Sequence, residues 1–341
     1  MLRLNGRVIR GVAANADRMS GTRFEAEIRE QPEILRRIAA SGVPQRLHAA
    51  VGDRDVLFTG SGSSFFVAQL AALKWRGPAR RALAVAASEA RFSGAAARDT
   101  CVVALSQSGR SGDVLDAVDA LAGSTTIALT NDPSSPLAER ADVAIDMLAG
   151  TERAVPASKS VTAMAAIVLM CDVPPAALTA AANEIGAWLD GCASRSMETV
   201  AAAFDATQSI VVLGAGFGVP VADEIALKIK EATYRHAEGF GAGEFRHGST
   251  AMLDGVRGAI GIVDPWSAEV VGDVLSTARA ASSVTATIGG AVAGSAAYGP
   301  AIAGTFAPLG WIVTGQMLAL AFARRAGIDS DVPRGLLKFL R

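Results

Sequence analysis

Three hydroxyls and two glycines crowd the segment Ser106-Gln107-Ser108-Gly109-Arg110-Ser111-Gly112-Asp113, directly behind the apolar run Cys101-Val102-Val103-Ala104-Leu105. This is the pattern of a strand emptying into an anion-binding turn. Hydroxyl donors, glycine-exposed amides and a helix starting at about Asp113 suit a phosphate monoester, whose oxygens take short donors and the positive end of a helix dipole. The expected ligand is a small phosphorylated metabolite. Taken alone, the same residues also fit a Ser/Gly loop that merely caps a helix.

A second turn of this kind, Gly60-Ser61-Gly62-Ser63-Ser64, follows the run Asp55-Val56-Leu57-Phe58-Thr59 and enters a helix through Ala68 to Lys74. A dinucleotide reading fails at it, because Gly60-x-Gly62 is followed by Phe65 where a third glycine is needed. Glu89 lies at a distance downstream that imitates a ribose acid, and no Walker lysine follows. Ser61, Ser63 and Ser64 instead make the turn a second wall of the phosphate pocket.

The strand–turn–helix unit recurs about 150 residues later, at a domain-sized spacing. There Ser209-Ile210-Val211-Val212-Leu213 runs into Gly214-Ala215-Gly216-Phe217-Gly218 and a helix through Ala222 to Glu231. Its glycines again miss the dinucleotide spacing. The alternation of strands and helices predicts an α/β protein with two parallel-sheet domains, ligands lying at the carboxyl ends of the strands. The boundaries expected are 1–45 for an N-terminal extension and helix, 46–192 for a first, phosphate-binding domain, and 193–341 for a second domain. The linker falls near Asp190-Gly191-Cys192-Ala193-Ser194, and a leading helix from Thr22 to Ala40 breaks near Pro32.

Composition narrows the partners. The 341 residues are 50% hydrophobic with a net charge of -1, and Lys and Arg are scattered, so no nucleic-acid footprint is expected. Cys101, Cys171 and Cys192 lack metal spacing and point to a reducing, cytoplasmic setting; His48, His236 and His247 leave little for a metal site. Met1 to Arg7 has no apolar segment behind it and reads as a frayed extension rather than a signal peptide. The stretch from Ala280 to Ala323 has no charged residue, but glycines and prolines break it below the ~18 apolar residues of a membrane span. It reads as strand, loop and a buried helix from about Leu309 to Ala323, with no membrane association.

Further ordered motifs are Glu27-Ile28-Arg29-Glu30-Gln31-Pro32, Ala87-Ser88-Glu89-Ala90-Arg91-Phe92, Ala226-Leu227-Lys228-Ile229-Lys230-Glu231, His236-Ala237-Glu238, Gly243-Glu244-Phe245-Arg246-His247-Gly248 and Asp331-Val332-Pro333-Arg334-Gly335-Leu336-Leu337-Lys338. With the two serine turns, they make the chain from about Met19 to Lys338 resemble the sugar isomerase (SIS) domain family. Within it, the likeness is to the isomerase half of glutamine-fructose-6-phosphate aminotransferase. The resemblance implies two tandem SIS domains, each a parallel sheet flanked by helices in a flavodoxin-like or Rossmann-like three-layer sandwich. It also implies a homodimer with shared active sites, working on a sugar phosphate without metal or organic cofactor.

Three departures from the aminotransferase pattern bear on function. Met1-Leu2 stands where the aminotransferase begins with a nucleophilic cysteine and a glutaminase domain, so no glutaminase activity is expected. Val155-Pro156-Ala157-Ser158-Lys159-Ser160 resembles stand-alone aminosugar-phosphate deaminases and isomerases, and Arg110 replaces an acid.

Aldose–ketose chemistry moves a proton between adjacent carbons, which one carboxylate can take and return. The resemblance assigns this to Glu231, with Lys228 supporting it electrostatically; the bare spacing of Glu224, Lys228 and Glu231 also fits a solvated helix stripe. It makes His247 the ring-opening acid/base, supplied across a dimer interface, and leaves His236 to packing. Lys338 corresponds to a carbonyl-facing lysine able to form a Schiff base, or is a surface lysine beside Arg334 and Arg341. The substrate-binding set is Ser63, Ser64, Ser106, Gln107, Ser108, Ser111, Val155 and Lys228. The expected reaction converts glucosamine 6-phosphate to fructose 6-phosphate and ammonia. The alternatives are a ketose–aldose isomerase or deglycase on another phosphorylated aminosugar, or a sugar-phosphate sensor without turnover.

Overall fold

Short apolar runs, most ending in glycine or a hydroxyl residue, pair in parallel to give two sheets of five strands. The computed structural model describes residues 3–4, 7–8, 21–90, 100–253, 257–336 and 338. The first sheet contains β1 (Asp55–Gly60), β2 (Ala82–Ala86), β3 (Thr100–Ser106), β4 (Thr125–Thr130) and β5 (Val143–Asp146), in the order β2-β1-β3-β4-β5. The second contains β6 (Ser209–Gly214), β7 (His236–Gly241), β8 (Arg257–Val263), β9 (Val284–Gly289) and β10 (Ala297–Tyr298), in the order β10-β9-β8-β6-β7. Numbered within its own half, each sheet runs 2-1-3-4-5. The duplication seen in the turns therefore extends to the whole sheet.

Strand alternation divides the core. Val56, Phe58, Cys101, Val103 and Leu105 of the first sheet share one apolar cluster with Ile210, Val212, Ile260 and Ile262 of the second. The alternate residues Leu57, Val102 and Ala104, and likewise Val211, Leu213 and Ala259, pack into separate outer clusters. Helices cover both faces, as parallel sheets require.

The helices that matter for the site are α1 (Thr22–Arg29), α2 (Gln31–Ser41), α3 (Ser63–Trp75), α4 (Gly112–Ala120), α5 (Lys159–Leu169), α6 (Pro175–Gly191), α7 (Ala193–Ala203), α8 (Gly218–Thr233) and α9 (Ala307–Arg325). The leading helix breaks at Glu30, ahead of Pro32, which sits in the first turn of α2 where its missing N–H costs nothing. The expected linker proves to be a helix junction, with Cys192 ending α6 and starting α7. At the N-terminus, Arg3–Leu4 pairs antiparallel with Arg7–Val8, where the sequence suggested only a frayed extension.

Helix α9 begins and ends two residues beyond the expected 309–323. Pro308 is tolerated at its start, and Gly315 serves as a contact point, since a Cβ there would lie 2.2 Å from Ile225 Cγ1 of α8. By length and composition this helix could cross a membrane, contrary to the reading of broken short pieces; its apolar window is wholly buried in the fold.

Candidate active site

The order 2-1-3-4-5 reverses between β1 and β3, so the turns leaving these two strands open into one crevice at their carboxyl ends. Gly62, at φ 54°, turns β1 into α3, and Ser63 is the first residue of that helix. Gly109, at φ 61°, lies so close to Ser135 that a Cβ would fall 2.0 Å from its hydroxyl. The turn is thereby fixed against its neighbour. The Ser106 hydroxyl accepts the Gly109 amide at 3.1 Å, and the Ser108 hydroxyl accepts the Arg110 amide at 3.2 Å. The starts of α3 and α4 thus meet at a cluster of hydroxyls, an arrangement that favours a phosphate group.

A cavity of about 390 Å³ joins these turns to parts of the chain far away in sequence. Ser61, Gly62, Ser63, Ser64, Gln107, Ser108, Ser111 and Asp113 line one side. Val155 and Ala157 come from the segment before α5, Leu227, Lys228 and Glu231 from α8, and Gly335, Leu336 and Lys338 from the C-terminal tail.

Helix α8 carries three charged side chains on one stripe. Lys228 is buried, and its Nζ donates to Glu231 Oε2 at 2.5 Å while lying 3.8 Å from Glu224 Oε1. Burial alone would lower the lysine, but the two carboxylates outweigh it and raise its pKa. Glu231 keeps partial exposure toward the cavity, so a carboxylate held by one cation faces the space a substrate would fill. Glu224 is different. Neither of its oxygens has a partner within hydrogen-bond distance, and burial lifts its carboxyl to about 7 against the pull of Lys228 and the nearby Ser63 hydroxyl.

Lys338 is tied into the same cavity. Its Nζ donates to Glu152 Oε2 at 2.9 Å and to the Ala154 carbonyl at 2.6 Å. The tail leading to it is anchored twice. Asp331 accepts the Arg23 and Phe24 amides at the start of α1, at 3.0 and 2.8 Å, and Tyr234 Oη accepts the Arg334 amide at 2.5 Å. Glu152 is fully buried, which alone would raise its pKa. The Lys338 ammonium and the Ser158 and Ser160 amides outweigh that burial and hold it below the ordinary value.

The structure therefore brings Glu231, Lys228, Lys338, Ser63, Ser64, Gln107, Ser108, Ser111 and Val155 to one cavity. Ser106 is buried behind the turn with its hydroxyl on the Gly109 amide, outside the lining. His247 is exposed on the turn after Ala242–Phe245 and does not line this chain's cavity. His236 is exposed at the first residue of edge strand β7, so the packing role expected for it is not seen. Arg110 ion-pairs with Asp132 at 2.8 Å and also lies outside the lining.

Sequence reasoning missed Glu152. Its only local signal is an acid six and eight residues ahead of Ser158 and Ser160, whose amides it accepts at 2.9 and 3.1 Å. Among the described residues no group of three or more His, Cys, Asp or Glu is arranged to hold a metal ion.

Residues 52–171 match the family model described as SIS domain. Two curated relatives are glutamine–fructose-6-phosphate aminotransferases [isomerizing]. That of Pyrobaculum aerophilum is 30% identical over 342 residues, covering 92% of this chain and 56% of that protein. That of Gloeobacter violaceus is 32% identical over 269 residues, covering 70% and 43%. The chain thus spans about half the length of these relatives.

Three solved structures share the fold at identities too low to carry more. The C-terminal domain of glucosamine-fructose-6-phosphate aminotransferase from Francisella tularensis superposes with a TM-score of 0.80 at 22% identity, covering 94% of this chain and 100% of that one. Tagatose-6-phosphate ketose/aldose isomerase from Escherichia coli gives 0.79 at 20%, covering 95% and 98%. Glucosamine-6-phosphate deaminase from Thermotoga maritima gives 0.76 at 20%, covering 94% and 99%. With a SIS domain match over residues 52–171, a serine-lined pocket at the first sheet's switch point and isomerizing aminotransferases among its relatives, the chain carries a SIS domain and resembles the isomerase half of those enzymes.

Proposed function

We propose that this chain is an aminosugar-phosphate deaminase/isomerase that converts glucosamine 6-phosphate to fructose 6-phosphate and ammonia, working as a homodimer. The observation that carries the reading is the single cavity holding the serine turns, the Lys228–Glu231 pair and the Glu152-bound Lys338. The serine turns and two helix starts would hold the phosphate. In the ring-opened sugar, Glu231 would take the C2 proton and return it to C1, leaving a C2 iminium that water hydrolyses to the ketose and ammonium. Lys338, whose amine already faces the cavity, is placed to handle the carbonyl.

Ring opening needs an acid/base, and among the described residues no histidine lines this chain's cavity. By the resemblance at Gly243 to Gly248, His247 of one protomer would serve its partner's cavity. Mixing Glu231→Gln and His247→Ala chains tests this, since in a mixed dimer both lesions would fall in one composite site and leave the other intact. Random reassortment should restore about a quarter of wild-type activity, because half the dimers are mixed and each holds one intact site of two. Background activity after demonstrated subunit exchange would place the histidine in its own chain's site.

The reaction itself is tested by assaying a panel of aminohexose phosphates for ammonia and ketose together. Ammonia with fructose 6-phosphate is the expected result. The pair Lys228–Glu231 would suffice for aldose–ketose isomerisation alone, so ketose or aldose formed without ammonia would move the assignment to that reaction. Binding with no product would make the protein a sensor.

A further inference from the structure

A second cleft, of about 450 Å³, shares no lining residue with the Glu231 cavity. Arg23 of α1, Arg37 of α2, Arg153 from the segment after β5 and Lys159 at the start of α5 supply its cations. Lys159 is buried against Glu30, and those two charges cancel. The remaining carboxylate, Glu27, is occupied by the amides of Arg153 and Ala154. Among the described residues, none of the three guanidinium groups has a hydrogen-bonding or ionic partner. Three unpaired arginines thus face one committed acid.

Two of them stand on anchored backbone, and Arg37 stands within helix α2. Arg23 is anchored by its amide on Asp331 at 3.0 Å, and Arg153 by its amide on Glu27. Unpaired arginines on a fixed backbone suit a dianion better than a single carboxylate. Each planar guanidinium can give two parallel donors to phosphate oxygens. The volume is comparable to that of the sugar-phosphate cavity, about 450 against about 390 Å³, room enough for a phosphorylated metabolite.

We propose that the cleft between Arg23, Arg37 and Arg153 is a second anion-binding site, for a phosphorylated small molecule that is not the one turned over at Glu231. The test is calorimetric titration of the full chain with inorganic phosphate, comparing wild type with two double variants. Ser63→Ala with Ser108→Ala weakens the first site, and Arg23→Ser with Arg37→Ser weakens the cleft. Wild type should bind two phosphates per chain, and each variant should keep one, with affinity at the altered site falling at least tenfold. Unchanged sugar-phosphate turnover in the arginine variant shows that it is folded. Lysine at both arginine positions should bind with intermediate affinity, because charge remains while the paired donors are lost. A single phosphate per chain in wild type, or a second site indifferent to the arginine changes, would overturn the proposal. Capture of an acidic peptide without any phosphate binding would overturn it as well, by assigning the cleft to a protein partner.

Discussion

The two sheets have the same strand order and the same strand–turn–helix unit, yet their carboxyl edges differ in chemistry. The first edge has Ser61-Gly62-Ser63-Ser64 after β1 and the run Ser106 to Ser111 after β3. The second has Gly214-Ala215-Gly216-Phe217-Gly218 after β6 and Asp264-Pro265-Trp266 after β8. At the second edge a Cβ on Gly214 would lie 2.1 Å from the Gly218 carbonyl, so the glycine there closes a turn on itself. The serines of the first edge line a cavity instead. Topology supplies the place for a ligand twice, and side chains use it once. The second half contributes through its helix, since α8 extends Leu227, Lys228 and Glu231 into the first half's cavity.

The largest effect that separates the two halves is expected on α8. Glu231→Gln keeps the shape and removes the proton acceptor, so kcat should fall by on the order of 10² or more while substrate affinity survives. Steady-state kinetics checks this, and near-normal turnover would return Glu231 to the role of a counter-ion for Lys228.

The edges themselves are compared by moving one hydroxyl. Ser108→Ala should raise KM by roughly tenfold or more, the worth of one hydrogen bond to a charged group. Ala215→Ser, which adds a hydroxyl at the second edge, should leave KM where it was. Equal sensitivity at the two edges would erase the distinction drawn between them.

A charge-assisted bond is the next target. Glu152→Gln removes the carboxylate that holds Lys338 but spares the serine turns, so kcat should drop by roughly tenfold with KM little changed. A rise in KM alone would make Lys338 a binding group rather than one acting at the carbonyl.

The smallest effect expected is on stability, through Glu224. Its carboxyl is raised to about 7 from an ordinary 4.5, so the folded chain keeps a proton that the unfolded chain releases between those values. Stability should therefore fall as pH rises through that window. Glu224→Gln removes the cost: thermal melts should show the variant above wild type by several degrees at pH 8 and level with it near pH 4. The reverse order at pH 8 would mean that the ionised carboxylate stabilises Lys228 by more than its burial costs.

The serine turns were legible because they are local, with strand, turn and helix contiguous in the chain. Glu231 and Lys228 were placed by resemblance, and the chain pattern by itself left them indistinguishable from a solvated stripe. Glu152 was not legible, because its role depends on Lys338 and on two amides that only the fold brings to it. The extent of α9 was misjudged for a related reason. Pro308 reads as a break in sequence, and the fold takes it into the first turn of the helix, where its missing N–H costs nothing. His247, exposed in the single chain, depends on what a second chain would add.

The most direct test of the account is a structure of the protein with glucosamine 6-phosphate or fructose 6-phosphate bound. The phosphate should lie among Ser63, Ser108 and Ser111, with C1 and C2 of the sugar beside the Glu231 carboxylate. A sugar phosphate seated on the Gly214–Gly218 turn of the second edge, with the serine turns empty, would contradict it.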